Sequence, residues 1–173
     1  MFLRVIACAL IVAGCTYLGM VFAARSKKRV AQLGEFKRAL NQLEFDIDFL
    51  NITLAESFEK LANNSEETLR KVFSQIASSV RKNRCQNMAI VWKYAIQKYK
   101  DEIFLTDDEI NIIIDFSKNL GSGDREKEKN NIKLAIMRLS VAEGEAREET
   151  NKNAKMYRGL GVLSGVFIVI LLI

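Results

Sequence analysis

The sequence predicts an all-α fold: a cytoplasmic antiparallel helical bundle flanked by N-terminal and C-terminal transmembrane helices. Three observations carry this expectation. Two uncharged runs stand near the ends of the chain, Val5–Ala24 and Gly159–Ile173. The 173 residues include no proline. Between the runs the apolar residues recur at intervals of three and four, and no stretch alternates convincingly at period two. The implied boundaries are 1–24 for the first membrane helix, 25–158 for a cytoplasmic bundle domain and 159–173 for the second membrane helix. A middle region of about 130 residues is an ordinary size for one domain.

Val5–Ala24 spans twenty residues, the length a helix needs to cross ~30 Å of hydrocarbon. Within it, Val12-Ala13-Gly14-Cys15 looks like a bacterial lipoprotein cleavage site. If cut there, the mature chain would begin at Cys15, carry lipid and face the outside of the cell. A secretory signal has a shorter apolar core, followed by polar mature sequence. Here the residues from Thr16 to Ala24 remain membrane-like, and then Arg25, Lys27, Lys28 and Arg29 arrive together. Such a cluster tends to stay cytoplasmic. The expectation is an uncut anchor with its amino terminus outside.

The second run, "GLGVLSGVFIVILLI", rises only about 22 Å as a helix. Met156 and Tyr157 lengthen it if Arg158 snorkels to the interface. Lys152, Lys155 and Arg158 precede it, so both runs have their basic flank toward the middle region. This places residues 25–158 in the cytoplasm. Gly161-Val-Leu-Ser-Gly165 is a GxxxG pattern that permits close helix packing. Gly161 and Gly165 serve either the contact of the two spans or a homo-oligomer.

The middle region reads as helix throughout. Leu33, Phe36, Leu40, Leu43, Ile47, Leu50 and Leu54 form one apolar stripe that continues the first membrane helix. Thr53-Leu-Ala-Glu56 is a capping box for a short helix ending near Asn63-Asn64. Ser65 is the expected cap of a third helix, with Leu69, Val72, Phe73, Ile76 and Val80 on its apolar face. After the polar break Lys82-Asn83-Arg84 comes a fourth, carrying Met88, Val91, Trp92, Ala95 and Tyr99. Thr106-Asp-Asp-Glu109 is a second capping box, opening a helix with Ile110, Ile113, Ile114 and Phe116. Leu120-Gly-Ser-Gly-Asp124 ends that helix and caps a long last one running into the second span.

Composition narrows the chemistry. The net charge of +5 is modest and largely explained by the membrane-flanking clusters, so nucleic acid is not an expected partner. Histidine, the commonest general base and metal ligand, is absent. Of three cysteines, Cys8 and Cys15 lie in the first span and Cys85 stands alone, so neither a disulfide framework nor a metal site is available. Glu44, Asp46 and Asp48 could hold a cation, but their spacing does not converge on one helical face. Glu143, Glu145, Glu148 and Glu149 mix with Arg147 as ordinary surface pairing. The glycine-rich "LGSGD" lacks the Lys-Ser/Thr ending of a phosphate loop and follows no strand. No catalytic residue, cofactor or metal is expected. The candidate partner-docking residues are Asp124, Arg125, Lys127 and Lys129. Cations in the first turns of a helix oppose its dipole, so local stability does not explain them.

Several stretches carry a family resemblance: "RALNQLEFDI", "TLAESFEKLA", "VWKYAI", "NLGSGDREKEKNNIKLA" and the ending "KMYRGLGVLSGVFIVILL". Over nearly its whole length the chain resembles the stage III sporulation protein AB family of endospore-forming Firmicutes. One departure is visible: Thr53-Leu54 stands where that family usually has a proline before the leucine, and Thr53 can cap instead. The resemblance implies a non-enzymatic inner-membrane platform like those of type II secretion and type IV pilus systems. It implies residence in the mother-cell membrane around the forespore, within a transenvelope channel complex. The implied partners are the bilayer, a secretion-type ATPase and other membrane proteins of the stage III sporulation A operon. A membrane-tethered helical adaptor or signalling module unrelated to secretion is the alternative.

Overall fold

The computed structural model describes the backbone of residues 2–50, 52–82, 87–121 and 123–172, and the side chains of residues 24–153 and 156 within them. Among the described residues there are six α-helices and no strand. They are α1 (Phe2–Phe45), α2 (Leu54–Asn64), α3 (Glu67–Arg81), α4 (Met88–Lys98), α5 (Asp107–Ser117) and α6 (Arg125–Leu172). A π-helical turn, Asp46–Leu50, follows α1, and a 3₁₀ turn, Lys100–Glu102, follows α4. The chain divides into two compact units, residues 29–144 and residues 1–28 with 145–173. Among the described residues no helix is long and apolar enough to cross a membrane. The two uncharged terminal runs, with Cys8, Cys15, Gly161 and Gly165, fall on residues whose side chains lie outside that description, and Cys85 lies outside it altogether.

In the unit of residues 29–144, all six helices contribute to one core. Leu33, Phe36, Leu40 and Leu43 of α1 are at most 2% exposed, as the sequence pattern requires. Phe58, Phe73 and Phe116 join them from α2, α3 and α5, and Ile132 and Leu139 from α6. Trp92 is fully buried among the rings. Its centroid lies 5.8 to 6.5 Å from those of Phe36, Phe58, Phe73 and Phe116. Three of the four contacts are edge-to-face, the arrangement favoured by the ring quadrupoles.

The apolar stripe departs from expectation after Leu43. Ile47 is only half-buried and Leu50 is 44% exposed, whereas Asp46 is fully buried. The cause is the π turn: its wider spacing inserts an extra residue and rotates the following side chains off the face set by Leu33 and Phe36. Asp46 Oδ1 accepts a hydrogen bond from Gln42 Nε2 at 2.8 Å, while Oδ2 has no hydrogen-bond partner among the described residues.

A row of polar residues on α1 serves the starts of other elements. Arg29 donates to Glu109 on α5 at 2.8 Å and 3.0 Å through two nitrogens. Gln32 spans the chain after the 3₁₀ turn, donating to the Glu102 carbonyl and accepting from the Phe104 N–H, each at 2.8 Å. Glu35 accepts from the Glu66 N–H at 2.6 Å. This last contact corrects the expected cap of α3. Its N-cap is Glu66, without a side-chain bond of its own, and Ser65 ends α2. The carboxylate comes from another helix, which local spacing does not reveal. The two capping boxes, Thr53 with Glu56 and Thr106 with Glu109, are both formed as expected.

Helices α1 and α6 run antiparallel within this unit. Lys37 Nζ meets Glu143 at 2.6 Å, Lys133 meets Glu44 at 3.8 Å, and Lys129 meets Asp48 at 2.5 Å. Residue numbers rise on one helix as they fall on the other. Glu143 therefore pairs across helices, in contrast to the surface pairing along α6 expected for it.

Candidate functional site

The turn between α5 and α6 is built from residues that few substitutes match. Gly121 and Gly123 both adopt positive φ, at 81° and 80°. This left-handed region is open to glycine and unfavourable for side chains with a Cβ. At Gly121 a Cβ would also stand 3.3 Å from Leu54 Cδ1, so the turn rests against the start of α2. Leu120 is buried and anchors the reversal.

Asp124 then does what its type predicts. Its Oδ1 accepts the Lys127 backbone N–H at 3.2 Å, capping α6, and its Oδ2 meets Lys127 Nζ at 2.9 Å. The Lys127 ammonium holds the Asp124 carboxyl below its usual range, and the carboxylate raises the lysine in turn. Glu128 reaches back to the Gly123 N–H at 3.1 Å and is nearly buried. Its carboxylate thereby closes the turn from within α6.

The structure therefore separates the four candidate docking residues. Asp124 and Lys127 form a local pair on the surface. Lys129 turns away to Asp48 in the π turn, whose carboxylate raises the lysine pKa. Arg125 alone of the three cations stands exposed without an ion pair among the described residues. The acidic trio disperses: Glu44 faces Lys133, Asp46 turns into the core and Asp48 faces Lys129.

Sequence reasoning passed over a different group of surface residues. Phe45 is 48% exposed and Phe49 70%, with ring centroids 5.1 Å apart. Leu134, Met137 and Val141 on α6 are exposed as well. The signal was present as a second apolar repeat on α6, masked by the stronger core stripe of Ile132, Ala135 and Leu139.

Comparison with known proteins places the chain. The profile of stage III sporulation protein AB matches residues 4–173. A stage III sporulation protein AB from Bacillus subtilis (strain 168) is 26% identical over 170 residues, covering 98% of this chain and 99% of that one. A solved structure of a stage III sporulation protein AB superposes with a TM-score of 0.67 at 23% identity. It covers 72% of this chain and 97% of the other, and speaks for the fold. A family profile matched from Arg4 to the last residue, on an all-helical chain with both capping boxes and the double-glycine turn in place, assigns this protein to the stage III sporulation protein AB family.

Proposed function

We propose that this protein is a non-enzymatic, two-pass membrane platform in a secretion-like transenvelope complex needed for endospore formation. Its central domain lies in the mother-cell cytoplasm and couples a secretion-type ATPase to the channel. The observation that carries the reading is the pair of uncharged runs, Val5–Ala24 and Gly159–Ile173, each with its basic cluster on the side of the middle region. The grouping of residues 1–28 with 145–173 in one compact unit supports it, because two spans of a hairpin belong together. Membership of a sporulation family supplies the process.

The test is topological and biochemical. A reporter fused near Glu102 should be active only as a cytoplasmic fusion, and Cys15→Ala should leave size and membrane retention unchanged. An active secreted phosphatase at the same position would restore the lipoprotein reading. The full-length protein in detergent should also retain the neighbouring operon ATPase on an affinity column. Correct topology without retention of any operon product would favour an adaptor unrelated to secretion.

A further inference from the structure

Helix α6 carries two apolar stripes within the same stretch of about three turns. Ile132, Ala135 and Leu139 face the core and are at most 3% exposed. Leu134, Met137 and Val141, at i, i+3 and i+7, are 44%, 64% and 58% exposed. Packing within the unit accounts for the first stripe and leaves the second in water. Helix α1 extends the second stripe. Phe45 is 48% exposed and lies within one turn of the level of Leu134, since Glu44 and Lys133 meet at 3.8 Å.

The charges beside this ridge are uneven. Every carboxylate in residues 30–45 and 130–144 is already engaged: Glu35 caps α3, Glu44 meets Lys133 and Glu143 meets Lys37. Arg38 and Arg138 stand exposed at the same levels of α1 and α6. Within these residues the exposed guanidinium groups of Arg38 and Arg138 therefore border the apolar ridge.

We propose that this face docks an amphipathic helix of a partner protein, whose apolar stripe is bordered by carboxylates. The helical spacing of Leu134, Met137 and Val141 beside the antiparallel α1 forms a ridge and groove of the kind into which a third helix packs. Planar guanidinium groups at Arg38 and Arg138 match carboxylates in two-point contacts. From Leu134 to Val141 the ridge rises only about 10 Å, so it engages about two turns of the partner and suits a transient contact. The inference does not depend on the ATPase reading.

The probe is a labelled helical peptide of about four turns, with a leucine stripe bordered by glutamates, titrated with the full-length protein in neutral detergent and read by fluorescence anisotropy. It should bind at low salt, and the same peptide with lysines at the borders should bind at least about tenfold more weakly. Met137→Glu should lose binding by about tenfold with circular dichroism unchanged, since Met137 is exposed. Arg138→Glu should shift the preference toward the lysine-bordered peptide even where Met137→Glu disturbs folding. Equal binding of both peptides, or full binding by Met137→Glu, would overturn the proposal. A wild-type dimer that Met137→Glu dissociates would show instead that a second copy covers the face. Binding to anionic phosphatidylglycerol vesicles that Met137→Glu abolishes, with no peptide bound, would assign it to a lipid surface.

Discussion

Glu35 on α1 caps helix α3 from a distance of 31 positions, its carboxylate accepting the Glu66 N–H at 2.6 Å. Burial pushes this carboxyl above its ordinary range, opposed by the hydrogen bond itself. A carboxyl whose folded pKa is raised lowers stability once ionised. Stability is therefore greatest below the unfolded pKa and falls as pH rises through the folded one. Glu35→Gln keeps an acceptor and removes the charge, so it should flatten that acid limb. Glu35→Ala should lose the cap, at about 1 kcal/mol. Denaturant titration of the full-length protein from acid to neutral pH checks both, and an unchanged acid limb in Glu35→Gln would assign it to another group.

Trp92 fills the centre of the aromatic cluster with no exposure. Its indole N–H has no hydrogen-bond acceptor among the described residues, so the ring is held by packing. Trp92→Ala should cost about 3–5 kcal/mol, a large share of the stability of a small domain. Trp92→Phe should recover part of it. A melting curve unaltered by Trp92→Ala would contradict the burial.

Glu109 holds two roles at once. It accepts the Thr106 N–H at 2.7 Å in the capping box, and it receives Arg29 through paired hydrogen bonds. Its side chain is only 3% exposed. Thr106→Ala removes the cap alone and should cost about 1 kcal/mol. Glu109→Ala also removes the paired hydrogen bonds with Arg29 and should cost more, about 2–3 kcal/mol. Equal losses would mean that the Arg29–Glu109 contact adds nothing to stability.

The double-glycine turn makes a ranking possible. Gly121 and Gly123 have the same positive φ, but only Gly121 faces a neighbour, Leu54, where a Cβ would form. Gly123→Ala should carry the backbone strain alone, about 1 kcal/mol. Gly121→Ala should exceed it by the contact with Leu54. Chemical denaturation of the two variants decides the order, and the reverse order would refute this account of the turn.

Charge reversal near α6 should separate docking from structure. Arg125→Glu touches no ion pair among the described residues, so the fold should remain intact while ATPase association weakens, most visibly at low salt. Lys129→Glu sets two anions together at Asp48 and should lower the melting temperature modestly. A co-purification series over salt concentration reads the first effect, and a melt reads the second. Undiminished association in Arg125→Glu would count against this turn as the site of the proposed ATPase contact.

What sequence determined here is local. Threonine followed three residues later by glutamate sets a capping box at Thr53 and at Thr106, because both partners lie within one turn. The repeat from Leu33 to Leu43 sets the buried face of α1, because a regular helix maps spacing onto direction. Asp124 and the two glycines set the last turn for the same reason.

Tertiary structure decided what depends on groups far apart in the chain. The π turn at Asp46–Leu50 broke the mapping from spacing to direction, exposing Leu50 and burying Asp46. Glu35 took over the cap assigned to Ser65, because α1 carries a carboxylate to the start of α3. Lys129 pairs with Asp48 rather than within its own turn because antiparallel packing of α1 and α6 brought that carboxylate within reach. The second stripe of α6 stayed in water because core packing needs only one face of a surface helix, and which face it takes is settled by the neighbours.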